Sequence, residues 1–404
     1  MIGHQARLFA EAGYPTTIIA GRGEDPPYSG LIKKEILPLM DSEHPGVILL
    51  RRALENEELP KTFYSLRENL KNGLMQVLTP NDIVIAHNIL TTHFNLMLTS
   101  AVHDLADKKI ISRLIVWCHD ISRYVNPGSG VPQQHGFPWD LLRTYRPDTT
   151  YVAVSSQRQL ILSKVLEQNP NTIQMIPNGI DPKELLSLSD IGADLVDQYD
   201  LLSSDLILLM PIRITRAKNI EFAMQVGAEL KKAGLRIRLI ITGPPDPHVP
   251  DIDNYYSDLK ILRNTLGLTD EVVFIYDGTS KYPAPFNISQ NLVAELYRIC
   301  DLVLMPSLRE GFGLPVLEAG LTDKPIFATH MPIVDDLDSG QVYIIEQHTS
   351  PGEVANQIQK WASQDVSHNL RVRVRNNYIW SSIFSKMIEP LIKQNVQRPK
   401  VKGL

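Results

Sequence analysis

Short apolar runs recur along the chain, separated by longer stretches of helical, amphipathic spacing, and this alternation limits the fold more than any other feature. In the first half the runs are "TTIIA" (16–20), "DIVIAHN" (82–88), "RLIVWCH" (113–119), "YVAVS" (151–155) and "IQMIP" (173–177). In the second half they are "LILLMPI" (206–212), "RIRLIITG" (236–243), "EVVFIYD" (271–277), "DLVLMPS" (301–307) and "PIFAT" (325–329). Helical patterns fill the intervals, at residues 91–108, 156–168, 220–234, 256–268 and 292–300. Such largely apolar runs suit parallel sheets covered on both faces by helices. At 404 residues the chain exceeds one ordinary core, so two series imply two domains. The fold class is therefore α/β, with two Rossmann-like domains and ligands expected beside the carboxyl ends of the strands.

We place the first domain at residues 1–182 and the second at 205–379, with the polar stretch 183–204 between them as a linker. Residues 121–140 are rich in Gly, Pro and Gln and read as a mobile loop. The C-terminal stretch, including "NNYIWSSIFSKMIEPLIKQ" (376–394), reads as helix before a basic tail. The opening "MIGHQARLFAEAGYPTTIIAG" goes directly into a helix and then a strand. A Rossmann-like domain needs a strand before that helix, normally a central one, and without it strand edges stay unpaired in mid-sheet. The expectation is that this first strand and the start of its loop are absent from the chain.

Composition narrows the function classes. Apolar residues make up 43% and charged residues 21%, as in ordinary globular proteins. A net charge of −5 gives no electrostatic footprint for nucleic acid. The two cysteines, Cys118 and Cys300, each lie in an apolar run and read as buried thiols in a reducing compartment. No run approaches the roughly 20 apolar residues of a membrane span, and no signal-peptide pattern opens the chain. Cytoplasm is the default location, and contact with a membrane surface stays open.

Several strand ends carry chemistry. "PIRITRAKN" (211–219) sets Arg213 and Lys218 five positions apart after one strand. Two permanent cations there suit a diphosphate, with Arg gripping oxygens bidentately and Lys supplying a point charge; a solvated helix start is the plainer alternative. "WCHDISR" (117–123) puts His119 at a strand end, as a proton acceptor, a hydroxyl ligand, an electrostatic partner or simply a structural histidine. In "REGFGLPVLEAGL" (309–321), Pro315 marks a helix start, so the residues Gly311, Phe312, Gly313 and Leu314 form a tight turn before it. Amides at such a turn can hold an anion. The flanking Glu310 and Glu318 have the wrong sign for phosphate but accept hydrogen bonds from sugar or ribose hydroxyls. A negative Glu318 would also suit the first turn of a helix with no ligand at all. "IPNGID" (176–181) reads as an Asn-Gly turn without direct chemistry. Amides for diphosphate, acids for hydroxyls and two cations together describe a nucleotide-sugar site.

In these segments the chain resembles glycosyltransferase family 4 of the group 1 type, retaining enzymes of the GT-B fold, over essentially its whole length. The marks are "EGFGLPVLE" (310–318), "RITRAKN" (213–219), "PNGID" (177–181), "YRICDLVLMPS" (297–307) and, less closely, the "HD" at 119–120. The resemblance implies two Rossmann-like domains facing each other across a cleft, with a C-terminal helix near 380–396 crossing back to the first. It implies a donor bound by the second domain: a UDP-, GDP- or ADP-sugar, whose hexose passes to a hydroxyl acceptor of unknown identity. Arg213 and Lys218 would neutralise the departing diphosphate, so that no metal or other cofactor is expected. Glu310 would hold hydroxyls of the transferred sugar, with the amides of Gly311–Leu314 nearby, and Glu318 the ribose. His119 would approach the donor sugar from the acceptor side. The family's Gly-rich loop after its first strand is represented here only by Gly3.

Two other readings are weighed beside transfer. They are a non-catalytic nucleotide-sugar-binding protein, and a phosphorylase or epimerase of the same GT-B shape, although the lysine-bound cofactor site of cofactor-dependent phosphorylases is not found. A nicotinamide enzyme shares the layout, but no G-x-G-x-x-G follows any strand.

Overall fold

The computed structural model of the chain describes residues 1–24, 30–337 and 339–394. It divides into two compact units, one comprising Met1–Gly179 with the described part of Trp380–Leu404, the other Ile180–Ile379.

The first unit opens on helix α1 (Ile2–Glu11) and strand β1 (Thr16–Ala20), which pairs in parallel with β2 (Ile32–Ile36). Two helices follow, α2 (Pro45–Glu55) and α3 (Thr62–Val77). The strands β3 (Ile83–His87), β4 (Arg113–Cys118), β5 (Thr149–Ala153) and β6 (Ile173–Met175) then form a parallel sheet in that order. Helix α4 (Leu96–Asp107) joins β3 to β4, and α5 (Ser156–Val165) joins β5 to β6. No ladder links β1 to β3 among the described residues. Burial follows the gap: β4 is buried from Leu114 to Cys118, whereas Val84, Ile85 and His87 of β3 are only half-buried.

Strand β2, "IKKEI", was not among the runs read as strands, because its two lysines and a glutamate mask the period. Helix α4 starts five residues later than its pattern suggests, at the Asn95 cap, whose Oδ1 takes the Leu98 amide at 3.1 Å. The loop 121–140 is tied down at several points. Val125 and Trp139 are buried, Gln133 Nε2 donates to the Asn126 carbonyl at 3.1 Å, and Arg143 reaches the Tyr124 carbonyl at 3.2 Å.

The second unit begins with the stretch read as a linker, and here the structure corrects that reading. Residues 183–204 contain α6 (Pro182–Leu185) and α7 (Asp190–Gln198), and Leu195, Val196, Leu201 and Leu202 sit in the unit's core. The polar sequence hid an amphipathic face. Next come β7 (Leu206–Met210), α8 (Ile220–Lys232), β8 (Ile237–Ile241), α9 (Ile252–Thr265) and β9 (Val272–Phe274). They are followed by α10 (Gln290–Ile299), β10 (Leu302–Met305), α11 (Leu314–Leu321), β11 (Ile326–Thr329), α12 (Pro332–Asp336) and β12 (Tyr343–Ile345). Helices α13 (Pro351–Gln364) and α14 (Val366–Asn377) close it. The sheet is parallel, in the order β12-β11-β10-β7-β8-β9. Every residue of β7 is buried, each large aliphatic contributing roughly 1.5–3 kcal/mol by removal from water.

The final helical pattern is broken at Tyr378 and Ile379 and resumes as α15 (Trp380–Ile383), a π turn (Phe384–Ile388) and α16 (Glu389–Lys393). These residues group with the first unit, where Trp380 and Phe384 share a core with Phe9, Ile115 and Trp117. The last two positions of the expected 380–396 helix lie outside the described residues. Gly179 of "PNGID" is explained by this packing, since a Cβ there would stand 2.8 Å from the Trp380 ring. Cys118 and Cys300 are buried thiols, each pushed up to about 12 by burial.

Candidate functional site

In the second unit the carboxyl ends of β7, β10 and β11 hold one connected group. After β7 the chain runs beside the segment following β8, Ile214 donating to the Pro244 carbonyl at 3.0 Å. Gly243 permits this approach, because a Cβ would fall 2.2 Å from the Ile212 carbonyl oxygen. A 3-10 turn (Arg216–Lys218) then leads through Asn219, in the left-handed region at φ 52°, into α8. The turn lifts Lys218 toward the end of β10, where its Nζ donates to Glu310 Oε1 at 2.5 Å. The Ser307 hydroxyl donates to the same oxygen at 3.0 Å. Backbone bonds hold both loops still: Leu308 donates to the Ala217 carbonyl at 2.8 Å, and Thr329 Oγ1 to the Ser307 carbonyl at 2.6 Å.

The Lys218 and Glu310 side chains are 20% and 9% exposed, so screening by water is reduced relative to a surface pair. Glu310 Oε2 has no partner among the described residues and remains an acceptor. Lys218 uses one of its three donors on Glu310, leaving two for another anion. Arg213 stands apart from this pair. Its side chain is 62% exposed and reaches Asp246 only at 3.9 Å, a contact of little energetic weight.

The turn ahead of α11 forms as Pro315 suggests. Gly313 caps the helix at φ 99°, and a Cβ on it would lie 2.6 Å from Met331 Sδ and 2.8 Å from Ile333 Cγ2. The Phe312 carbonyl accepts from the Ile333 amide at 3.3 Å, fixing the turn on α12. The amides of Gly311, Phe312, Gly313 and Leu314 find no acceptor among the described residues. Phe312 and Leu314 side chains are exposed around them. Glu318 is exposed on the following turn and accepts from the Tyr297 hydroxyl at 2.7 Å. Burial of Tyr297, reinforced by the Glu318 carboxylate, raises its phenol well above the usual range. Tyr297 and Ser307 lie inside quoted motifs, yet nothing in the sequence signals that they hold the two acids.

The first unit carries its own cluster at the ends of β3 and β4. His119 Nε2 lies 3.0 Å from His87 Nδ1, and the ring planes are 12° apart. Asn88, at φ 58°, accepts from the amides of His119 and Asp120 through Oδ1, at 2.8 and 3.0 Å. Arg158 donates to Asp120 Oδ1 at 2.9 Å. Burial, with His119 adding to it, takes His87 down to about 3; burial also lowers His119. Both imidazoles are therefore neutral at neutral pH. His87 and Asn88 were read only as part of a strand.

Thus the structure brings together Lys218, Glu310 and the Gly311–Leu314 turn. Glu318 lies one helical turn further on, Arg213 is unattached to the pair, and His119 belongs to a separate cluster in the other unit.

Comparison with known proteins bears on the second unit most directly. Residues 195–379 match the family described as "Glycosyl transferases group 1". A D-inositol 3-phosphate glycosyltransferase of Stackebrandtia nassauensis is 26% identical over 181 residues, which is 44% of this chain and 38% of that protein. The mannosylglucosylglycerate synthase of Petrotoga mobilis is 24% identical over 304 residues, 66% of this chain and 63% of that protein. The chain thus spans less than two thirds of either relative. Among solved structures, a glycosyltransferase from Rickettsia africae aligns over 98% of this chain and 95% of its own, at 17% identity and a TM-score of 0.36.

Proposed function

We propose that this chain, whose residues 195–379 match the glycosyl transferases group 1 family, is a retaining glycosyltransferase acting on a nucleotide-diphosphate sugar. The observation that carries the reading is the Lys218–Glu310 pair at the ends of β7 and β10, beside a turn of unpaired amides. A phosphate needs donors, and Lys218 and the amides of Gly311–Leu314 supply them. Sugar hydroxyls need acceptors, and Glu310 Oε2 supplies one.

In the proposed reaction the bond from the anomeric carbon to the diphosphate oxygen breaks, and a bond from that carbon to the acceptor oxygen forms on the same face. The acceptor's hydroxyl proton passes to the departing diphosphate. Negative charge accumulates on that leaving group, so cations already in place lower the barrier. Lys218 meets it from a fixed position, and Arg213 swings in from solvent, with no metal required. Glu310 holds the hexose by its hydroxyls and Glu318 holds the ribose, while His119 keeps the role toward the donor sugar that the resemblance implies. The base, the hexose and the hydroxyl acceptor are not read from these residues.

A panel of UDP-, GDP- and ADP-sugars, assayed for donor consumption with an acceptor mixture, tests the proposal. Glu310→Ala is expected to lower turnover by about 10²-fold or more while leaving nucleoside-diphosphate affinity within a few-fold. Lys218→Ala should weaken the binding of donor and nucleoside diphosphate alike, by about 10- to 100-fold. Full activity in both variants would overturn the assignment. Donor binding without any turnover would favour a binding protein instead.

A further inference from the structure

The end of β3 shows two residues whose polar atoms are spent on the end of β4. His87 Nδ1 lies 3.0 Å from His119 Nε2, and Asn88 Oδ1 accepts from the amides of His119 and Asp120 at 2.8 and 3.0 Å. The Asn88 amide in turn donates to the Trp117 carbonyl at 2.9 Å, so the same residue also closes the strand ladder. To reach both, Asn88 adopts φ 58°, a left-handed conformation that asparagine tolerates better than most residues. Such strain persists where surroundings hold it, and a functional site is where it tends to gather.

We propose that His87 and Asn88 are positioning residues for His119, fixing its ring orientation and its tautomer for the transfer reaction. The inference rests on the proposed function only in giving His119 a role toward the donor; the clamp itself rests on geometry. His119 offers two ring nitrogens. Nδ1 is buried without a partner, and Nε2 faces His87. Between two neutral imidazoles one facing nitrogen must carry the proton and the other must not, so each ring dictates the tautomer of the other. A buried orphan donor is rarer than an orphan acceptor. The pair therefore settles with the His119 proton on Nε2, donated to His87 Nδ1, and with the His87 proton on its Nε2. That last nitrogen is neither buried without a partner nor paired to a described residue. His87 and Trp117 also stack, with ring centroids 5.7 Å apart, a second contact that restrains the His87 ring.

The experiment combines kinetics with a readout that needs no turnover. Histidine selectively labelled with 15N in the full chain reports the tautomer of each ring through its nitrogen shifts, His119 being assigned by its loss in His119→Gln. In the wild type, His119 should show a single neutral tautomer protonated at Nε2. In His87→Phe, which keeps a ring but removes the nitrogen, the His119 shifts should move toward an average of two tautomers. His87→Asn, whose amide can place a polar atom near the Nδ1 position, should restore the wild-type pattern. In steady-state transfer, His87→Phe should lower kcat by about 10- to 100-fold with KM for donor little changed. His87→Asn should recover much of that loss, and His87→Phe combined with His119→Phe should be no slower than His119→Phe alone. Asn88→Gly, which tolerates the same left-handed backbone conformation and removes the side chain that carries Oδ1, should also lower kcat.

Unchanged His119 shifts in His87→Phe overturn the clamp, whatever the kinetics. Multiplicative losses in the double variant overturn the shared role. If the wild-type chain turns over no donor, the functional reading fails, while the nitrogen shifts still decide whether His87 fixes His119.

Discussion

Gly313 shows how a single residue decides whether the anion-binding turn can form. Its φ of 99° and the nearness of Met331 Sδ and Ile333 Cγ2 leave no room for a side chain. Gly313→Ala should therefore destabilise the second unit by roughly 2–4 kcal/mol, combining backbone strain with overpacking. Gly311 has nothing within 4 Å of its notional Cβ and no positive φ, so Gly311→Ala should shift stability by no more than about 0.5 kcal/mol. Urea unfolding of both variants checks the contrast. The two glycines look equivalent in "EGFG", and only the packing of α12 separates them. Pro315, by contrast, announced the helix start from the sequence alone, because its ring geometry is local. The Lys218–Glu310 bond spans 92 positions in the chain. Spacing could nominate each residue for a diphosphate or a hydroxyl but could not show that the two neutralise each other. The same limit kept His87 from being paired with His119, and Tyr297 with Glu318.

At the scale of elements, α14 does work that its sequence conceals. Arg375 forms two bonds to the Asp301 carboxylate, at 3.1 and 2.8 Å, and Arg371 donates to the Cys300 carbonyl at 3.0 Å. Asp301 Oδ2 also accepts the Ile207 amide at 2.9 Å. Burial alone would raise the Asp301 carboxyl, but His368, Arg375 and Arg371 outweigh it and hold it below the usual range. One helix thus ties together the amino ends of β7 and β10, whose carboxyl ends bear Lys218 and Glu310. Arg375→Ala leaves a buried carboxylate short of its main partner and should cost about 3–5 kcal/mol, measured by chemical denaturation. The strands themselves were legible because their apolar runs are continuous. Strand β2 was not, since Lys33, Lys34 and Glu35 interrupt its apolar run, and α7 was not, since three aspartates, Asp190, Asp194 and Asp197, interrupt its apolar face. Both errors arise where burial is one-sided and composition is dominated by the wet side.

Across the whole molecule, sensitivity to acid is unevenly shared. Burial brings His87 down to about 3 and His93 and His103 down to about 4, each helped by a neighbouring positive or imidazole group. All three lie in the first unit. A folded-state pKa below the unfolded value means that the unfolded chain binds the proton first. Stability from these histidines is fully present above about pH 6.5 and is lost as pH falls from there toward 4, by up to about 1.4 kcal/mol per pH unit for each group. The first unit is expected to unfold before the second on acidification, with His103→Gln reducing the slope; tryptophan fluorescence of Trp117 and Trp139, against Trp361 in the second unit, follows the order. The same unit carries the gap between β1 and β3. Its outer strand β2 is guarded by Lys33, Lys34 and Glu35, charges that discourage a stranger from joining the sheet. Neither "TTIIA" nor "IVIAH" holds a lysine, a carboxylate or a proline. Those two strands thus lack the charges that guard β2, and strand exchange between chains, followed by light scattering against concentration, is expected to involve them before β2.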